Sequence, residues 1–348
     1  MMPMTEEQTM LSDMLARYFT DANGSYQWAE LAELGVLGAL FAESHGGYGG
    51  SAVDLGVVFE QTGRAACQLP LIDSALLPGL LLAAANQPLS ALISGESRYA
   101  VAHTELASRY DTDVISTSVT NGTITGEKTL VFSAGDAQHL LISAVHEQQV
   151  GLYRVAADAP GIRLNTYEVV QGGYASDLLL SSVPAELLMN NALDAIQHAW
   201  AAALVAQAAD TVGALEKVVS MTKEYLVTRQ QFGRALRDFQ VLSHRFTDML
   251  IALEQVRSAL SLAIAHLDDE PASRDLHGSA CKNLIGRMGR AIAEDSVQMN
   301  GGIGMTAEYQ LGHYLKRIIM ADHRFGDTDY HMERFIELSR HTTTGRAE

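Results

Sequence analysis

The run Leu242-Ser-His-Arg-Phe246-Thr-Asp-Met249-Leu-Ile-Ala-Leu253-Glu-Gln-Val256-Arg-Ser-Ala-Leu260-Ser-Leu-Ala263-Ile-Ala-His-Leu267 sets an apolar residue at alternating steps of four and three. That spacing lines up one face of a helix against a partner helix. Working outward, Val205, Ala208, Val212, Leu215, Val219 and Leu226 form a similar stripe before it, and Ala280, Leu284, Met288 and Ile292 form one after it. A shorter segment, Tyr309 to Met320, supplies a fourth element. The spacing predicts a C-terminal four-helix bundle over residues 186–348. Stripes of this kind are core, and no function is assigned to them.

Upstream, between residues 98 and 185, the period changes to that of strands: Val114 to Val119, Thr129 to Phe132, Leu140 to Val145 and Val150 to Val155. Asn121-Gly122 joins two of them, and both residues tolerate the positive φ of a tight hairpin. A middle antiparallel β domain follows. Residues 1–97 read as helical, with Leu31, Leu34, Leu37 and Leu40 at helical spacing and Leu55, Val58 and Phe59 opening another apolar face. Gly46-Gly47-Tyr48-Gly49-Gly50, Pro70 and Pro78 interrupt them. The fold class is mainly α with a β domain between two helical ones.

Composition removes several function classes. The 348 residues carry a formal charge of −17, with 24 Lys and Arg against 41 Asp and Glu, which opposes broad affinity for nucleic acid or anionic membranes. The longest apolar run, Ala75 to Ala85, contains Pro78 and Gly79 and is well short of the ~20 residues that span a bilayer. Met1 to Leu15 lacks the layout of a secretory signal, so a cytoplasmic location is expected. Cys67 and Cys281 are too far apart in sequence to suggest a disulfide framework and read as core thiols. The histidines show no metal-ligand spacing, and His244, His266, His277, His313 and His323 read as solvated or capping.

Four strings occur in order along the chain: Trp28-Ala-Glu-Leu-Ala-Glu-Leu-Gly-Val-Leu-Gly followed by the Gly46–Gly50 turn; Gly122-Thr-Ile-Thr-Gly-Glu-Lys-Thr; Arg229-Gln-Gln-Phe232-Gly233 with Gln240 beyond; and Gln298-Met-Asn-Gly301-Gly302-Ile-Gly304. Together they resemble the acyl-CoA dehydrogenases over nearly the whole chain. The residues also carry their own chemistry. Arg229 is a planar, permanently charged fork suited to a pyrophosphate. Gly301 and Gly302 leave backbone open to a phosphate or adenine, and Gln298 can donate and accept. A plain helix C-cap beside an ordinary paired arginine is the other reading of the same residues. The resemblance implies FAD, and implies that Arg229, Phe232, Gln240, Gln298, Gly301 and Gly302 hold the ADP half of a neighbouring subunit's FAD. It also implies a cofactor role for Thr328.

Departures from the family pattern matter as much. The family's Thr-Glu-Pro-Gly-x-Gly-Ser-Asp flavin loop corresponds to Thr104-Glu105-Leu106-Ala107-Ser108-Arg109-Tyr110-Asp111, and a threonine that bonds flavin corresponds to Phe132. The usual catalytic glutamate corresponds to Gly326; an alternative glutamate position corresponds to Ala203, and an arginine for the thioester to Leu204. Asp327 could serve as a displaced base, or as the N-cap of a last helix carrying Met332, Phe335 and Ile336. The resemblance therefore implies the non-catalytic subunit of an α2β2 dehydrogenase acting on an acyl-CoA held mainly by a sister chain. A self-sufficient homotetramer using Asp327 and a flavin-free scaffold are the alternatives.

Overall fold

The computed structural model describes residues 4–306 and 308–344. The first helix, α1 (Glu6–Ala22), starts at a capping box in which the Thr5 hydroxyl accepts from the Gln8 amide and the Gln8 side chain accepts from the Thr5 amide. Helix α2 (Trp28–Glu33) is short. The expected leucine stripe does not continue it: Gly35 turns the backbone to φ +81°, its carbonyl accepts from the Tyr48 hydroxyl, and Gly38–Leu40 form a separate 3₁₀ turn. Leu37 and Leu40 are nevertheless buried while Leu34 is exposed. Helix α3 (Ala52–Arg64) buries Leu55, Val58 and Phe59. A wide turn at Ile72–Leu76 leads into α4 (Leu77–Ala84), and α5 (Ser90–Ile93) follows.

Eight strands form one sheet: β1 (Tyr99–Ala102), β2 (Ser118–Thr120), β3 (Thr123–Phe132), β4 (His139–His146), β5 (Gln149–Ala156), β6 (Ile162–Glu168), β7 (Tyr174–Pro184) and β8 (Glu186–Met189). Their order is β6-β7-β3-β2-β4-β5-β8, with β1 also on β4. Asn121 and Gly122, at φ +50° and +74°, make the expected β2–β3 hairpin. Most pairs are antiparallel, but β1 and β2 both run parallel to β4, because a long loop rather than a hairpin joins β1 to β2. The strand expected over Val114 to Val119 begins only at Ser118. The amides of Ser116 and Thr117 donate to the Glu105 carboxylate instead of a neighbouring strand. Ile124, Leu140, Ile142, Val155, Leu178 and Leu180 fill one core.

The C-terminal part holds α6 (Leu193–Thr228), a two-strand hairpin of β9 (Gln230–Gln231) and β10 (Arg234–Ala235), α7 (Gln240–Ala265), α8 (Pro271–Asn300), α9 (Leu311–Asp322) and α10 (Thr328–Thr344). The α6 stripe is buried throughout, and in α7 Met249, Leu253, Val256, Leu260 and Ala263 are buried while Leu242 and Phe246 are half-buried. On α8 the expected stripe is rotated by about one residue. Ala280, Leu284 and Met288 are half-buried, whereas Cys281, Ile285, Gly289 and Ile292 are buried. The displacement arises because a second face, Ser279, Lys282, Asn283 and Gly286, is committed to polar packing. Both cysteines are free and buried.

Two compact units result, one from Met1–Ser25, Leu55–Cys67 and Leu204–Glu348, the other from Tyr26–Asp54 and Gln68–Ala203. The first is braced internally by Arg317, whose guanidinium donates to Asp210 and to the Cys67 carbonyl. Among the described residues no helix is long and apolar enough to cross a membrane, and no cluster of three or more His, Cys, Asp or Glu is arranged to hold a metal.

Candidate functional site

Helix α6 stops at Thr228, and Arg229 leads directly into the β9–β10 hairpin. The turn residues Phe232 and Gly233 sit at φ +53° and +78°, a conformation that glycine adopts freely and phenylalanine does not. Phe232 is 91% exposed, with its ring edge-on to Phe239 at 6.2 Å between centroids. The Arg234 guanidinium lies over the Phe239 ring. Arg229 is exposed, and among the described residues its guanidinium has no hydrogen-bond or ion-pair partner. Exposed aromatic surface beside an unpaired guanidinium, in so acidic a chain, is suited to an anionic, ring-bearing ligand.

Two contacts bring the second motif to this end of the bundle. Arg245 near the start of α7 pairs with Asp295 near the end of α8 at 2.7 Å. The Asn300 amide donates to the Thr222 hydroxyl of α6 at 3.3 Å and its carbonyl oxygen accepts from the Tyr309 hydroxyl. Thr222 lies only about 10 Å of helix rise from Arg229. Gln240 opens α7 and is exposed; Gln298 is exposed in the last turn of α8. Gly301 caps that helix at φ +62°, and a Cβ on either Gly301 or Gly302 would meet open space. Arg229, Phe232, Gln240, Gln298, Gly301 and Gly302 therefore share one end of the bundle.

Gly326, Asp327 and Thr328 lie elsewhere, against the middle of α8 beside Asn283, about 22 Å of helix rise from Gln298. Gly326 is buried at φ +104°, and a Cβ there would lie against His331 Nε2 and 2.7 Å from Tyr330 Cδ1. The Asp327 carboxylate accepts from the Tyr330 amide at 2.9 Å, the geometry of an N-cap for α10. Lys282, almost fully buried, donates to the carbonyls of Asp322 at 2.9 Å and Gly326 at 2.7 Å. Burial pushes its amine down to about 8, against the pull of Asp322 and Asp327. His331 bonds the Phe325 carbonyl at 2.8 Å through Nε2 and Ser279 through Nδ1. Burial lowers its imidazole to about 4, outweighing the Phe325 hydrogen bond, so it is neutral at neutral pH. Neither Lys282 nor His331 was singled out by apolar periodicity; a count of polar residues at steps of three and four on α8 would have found the first.

The Thr104 to Asp111 loop is closed on itself. Ser108 caps the Glu105 backbone through its hydroxyl, and the Asp111 amide bonds the Ser108 carbonyl. Arg109 holds φ +49°, and Leu106 is 86% exposed. Beneath it Lys128, with no exposure, donates to Glu105 at 2.7 Å, to the His103 carbonyl at 3.0 Å and to Ser143 at 3.2 Å. Burial pushes the Glu105 carboxyl up, but hydrogen bonds from Lys128 and Ser116 outweigh it and hold the group down to about 2. His103, edge-on to Trp200, is pushed down to about 3 by burial and by Lys128. The amides of Glu105, Ser108 and Asp111 are thus bonded within the loop. Ala203 and Leu204 are both buried, and neither offers a polar group in place of base or thioester arginine.

Comparison with known proteins shows the family and the fold. Residues 8–87 match the family model for the acyl-CoA dehydrogenase N-terminal domain, and residues 193–337 match that for the C-terminal domain. Probable acyl-CoA dehydrogenase YngJ of Bacillus subtilis is 23% identical, the alignment covering 90% of this chain and 92% of that protein. A variant of the Tcur3481-Tcur3483 steroid ACAD superposes with a TM-score of 0.86 and 27% identity over 99% of both chains. The ChsE4-ChsE5 complex from Mycobacterium tuberculosis gives 0.84 and 21% over 96% of this chain and 97% of that one. The FAD complex of PigA gives 0.85 and 20% over 97% and 98%.

Proposed function

Because the chain belongs to the acyl-CoA dehydrogenase family, we propose that it is the non-catalytic subunit of a heteromeric, FAD-dependent acyl-CoA dehydrogenase, giving a sister chain the ADP half of its FAD site. The Tcur3481-Tcur3483 steroid ACAD, 27% identical and named for a pair of chains, supports such a pairing. The proposal extends to an α2β2 assembly. The acyl-CoA would be held mainly by the sister chain.

The observation that carries this reading is Gly326. Oxidation at Cα–Cβ of a thioester needs a carboxylate to take the α-proton, while bound FAD accepts the β-hydride. Gly326 offers no such group, and its neighbours leave no room for one. Ala203 offers none either, and Asp327 is engaged as a helix cap. Residues at the hairpin end do fit a dinucleotide: Arg229 would meet the pyrophosphate, with Phe232, Gln240, Gln298 and the open backbone at Gly301 and Gly302 around it. This chain's work is then to bind and orient, with proton transfer left to the sister chain. The test is turnover by the purified chain alone, with a panel of acyl-CoA thioesters and an artificial electron acceptor. No oxidation is expected, and turnover of any thioester would overturn the reading.

A further inference from the structure

Asn300, the last residue of α8, is 1% exposed, and each polar atom of its side chain is bonded. Nδ2 donates to the Thr222 hydroxyl at 3.3 Å and to the Ser296 carbonyl at 2.8 Å, while Oδ1 accepts from the Tyr309 hydroxyl at 3.2 Å. Only one orientation of the amide satisfies this set. The Thr222 hydroxyl spends its proton on the Val218 carbonyl at 2.9 Å, so it meets Asn300 with a lone pair, and a carbonyl can only accept. The side facing α6 must therefore be the NH₂ group. An amide kept in a core is costly unless so paired, and a leucine would fill a similar volume without fixing a direction.

What the amide fixes is the chain that follows it. Gly301 leaves the helix at φ +62° and ψ −145°, a conformation that glycine alone adopts readily, and its amide donates to the Val297 carbonyl. The 3₁₀ turn Gly301–Met305 then folds back on the helix end. A Cβ on Gly304 would lie 3.2 Å from the Asn300 Cβ, and the Ile303 carbonyl accepts from both the amide and the hydroxyl of Thr306. Tyr309, from beyond the turn, closes it onto Asn300. The exposed backbone of Gly301 and Gly302 is thus held between α6, the last turn of α8 and Tyr309, which all meet at one side chain.

We infer that Asn300 is a positioning residue for the nucleotide half-site: by tying the end of α8 to α6 and to Tyr309, it sets the direction in which the Gly301 and Gly302 backbone faces FAD. The inference rests on the reading that these two glycines lie against FAD. Asn300 acts through them, since both of its own donors are spent inside the bundle.

The experiment is FAD titration of the assembled complex carrying Asn300→Leu, Thr222→Val or Tyr309→Phe, with the melting temperature of each measured alongside. Asn300→Leu should bind FAD about tenfold more weakly, as three hydrogen bonds that hold the turn are lost together. Thr222→Val and Tyr309→Phe should each give a few-fold loss, and Tyr309→Phe should add nothing further once Asn300 is replaced. An independent further loss would overturn the coupling on which the role depends. Thr62→Val is the control: it removes a buried hydroxyl bonded to Asp210, about 18 Å of helix rise from Thr222, and should lower the melting temperature without changing FAD affinity. If it weakens FAD binding as Asn300→Leu does, general destabilisation explains both and the positioning role is overturned. Arg229→Ala, titrated in parallel, separates the two levels. Unchanged affinity there would remove the half-site itself, and the inference with it. Weaker binding for Arg229→Ala, with Asn300→Leu lowering only the melting temperature, would make Asn300 structural and overturn the inference alone. Should Asn300→Leu not fold, Tyr309→Phe decides: a few-fold loss supports the inference, and unchanged affinity overturns it.

Discussion

At the scale of single residues the account turns on Gly326. Its φ of +104° is a region that L side chains rarely adopt, and His331 and Tyr330 fill the space beside it. Gly326→Ala should cost about 2–5 kcal/mol from backbone strain and overpacking together, read as a lower urea midpoint at unchanged slope. Gly326→Glu should be at least as damaging and should yield no dehydrogenation. A stable, active Gly326→Glu chain would show that the position is an open catalytic slot. Asp327→Asn belongs beside it as a control. Since asparagine caps a helix about as well as aspartate, the complex should keep its activity to within a few-fold, whereas a loss of several orders of magnitude would make Asp327 a base. That Gly326 stands where the family has its glutamate is an expectation from counting along a motif. Its consequence was not legible in the sequence, because nothing local in Arg324-Phe325-Gly326-Asp327 reveals that His331, five residues on, folds back over the glycine.

At the scale of elements, the Glu105–Lys128 pair ties the Thr104 to Asp111 loop to β3, and it sets an acid limit on the sheet. Glu105 is held down to about 2 from an ordinary 4.5. A depressed carboxyl contributes stability that is present above the ordinary value and lost as pH falls through the folded one. His103 and His331, lowered to about 3 and about 4, act in the same direction from higher pH, since an unfolded chain takes up protons below about 6.5 and the folded chain does not. Stability should therefore decline as pH falls below about 6.5 and more steeply from about 4.5 towards 2, measured by urea unfolding across pH. Lys128→Met, which strands a buried carboxylate, should cost about 3–5 kcal/mol at neutral pH; a neutral effect would show that the pair does not brace the loop. The stripes of α6 and α7 and the Asn121-Gly122 hairpin were legible, because period and turn chemistry are local signals. The α8 stripe, the truncated β2 and the broken Leu31 to Leu40 helix were not. Each was decided by a distant polar partner: the turn gripped by Lys282 and Asn283, the Glu105 carboxylate, and the Tyr48 hydroxyl.

At the scale of the whole molecule, the chain keeps the family's architecture while its site residues divide into two sets. In one set Arg229, Gln240 and Gln298 are exposed, and the Arg229 guanidinium has no partner among the described residues; in the other Gly326 is buried, Asp327 caps α10 and Glu105 is paired with Lys128. An arginine left unpaired and exposed at a helix end of an acidic chain is open to an anionic ligand, whereas Gly326 is buried and Asp327 is engaged as a helix cap. That contrast is the physical basis for the proposal that this chain binds and a sister chain does the chemistry. The most direct measurement is the FAD affinity of the assembled complex with Arg229→Ala compared with the unaltered chain. Loss of a charge-assisted contact worth roughly 1.5–3 kcal/mol predicts about ten- to a hundredfold weaker binding with the chain still folded, and a smaller loss for Gln298→Ala, whose neutral hydrogen bond is worth about 0.5–1.5 kcal/mol. An Arg229→Ala complex that binds FAD as tightly as the original would contradict the account.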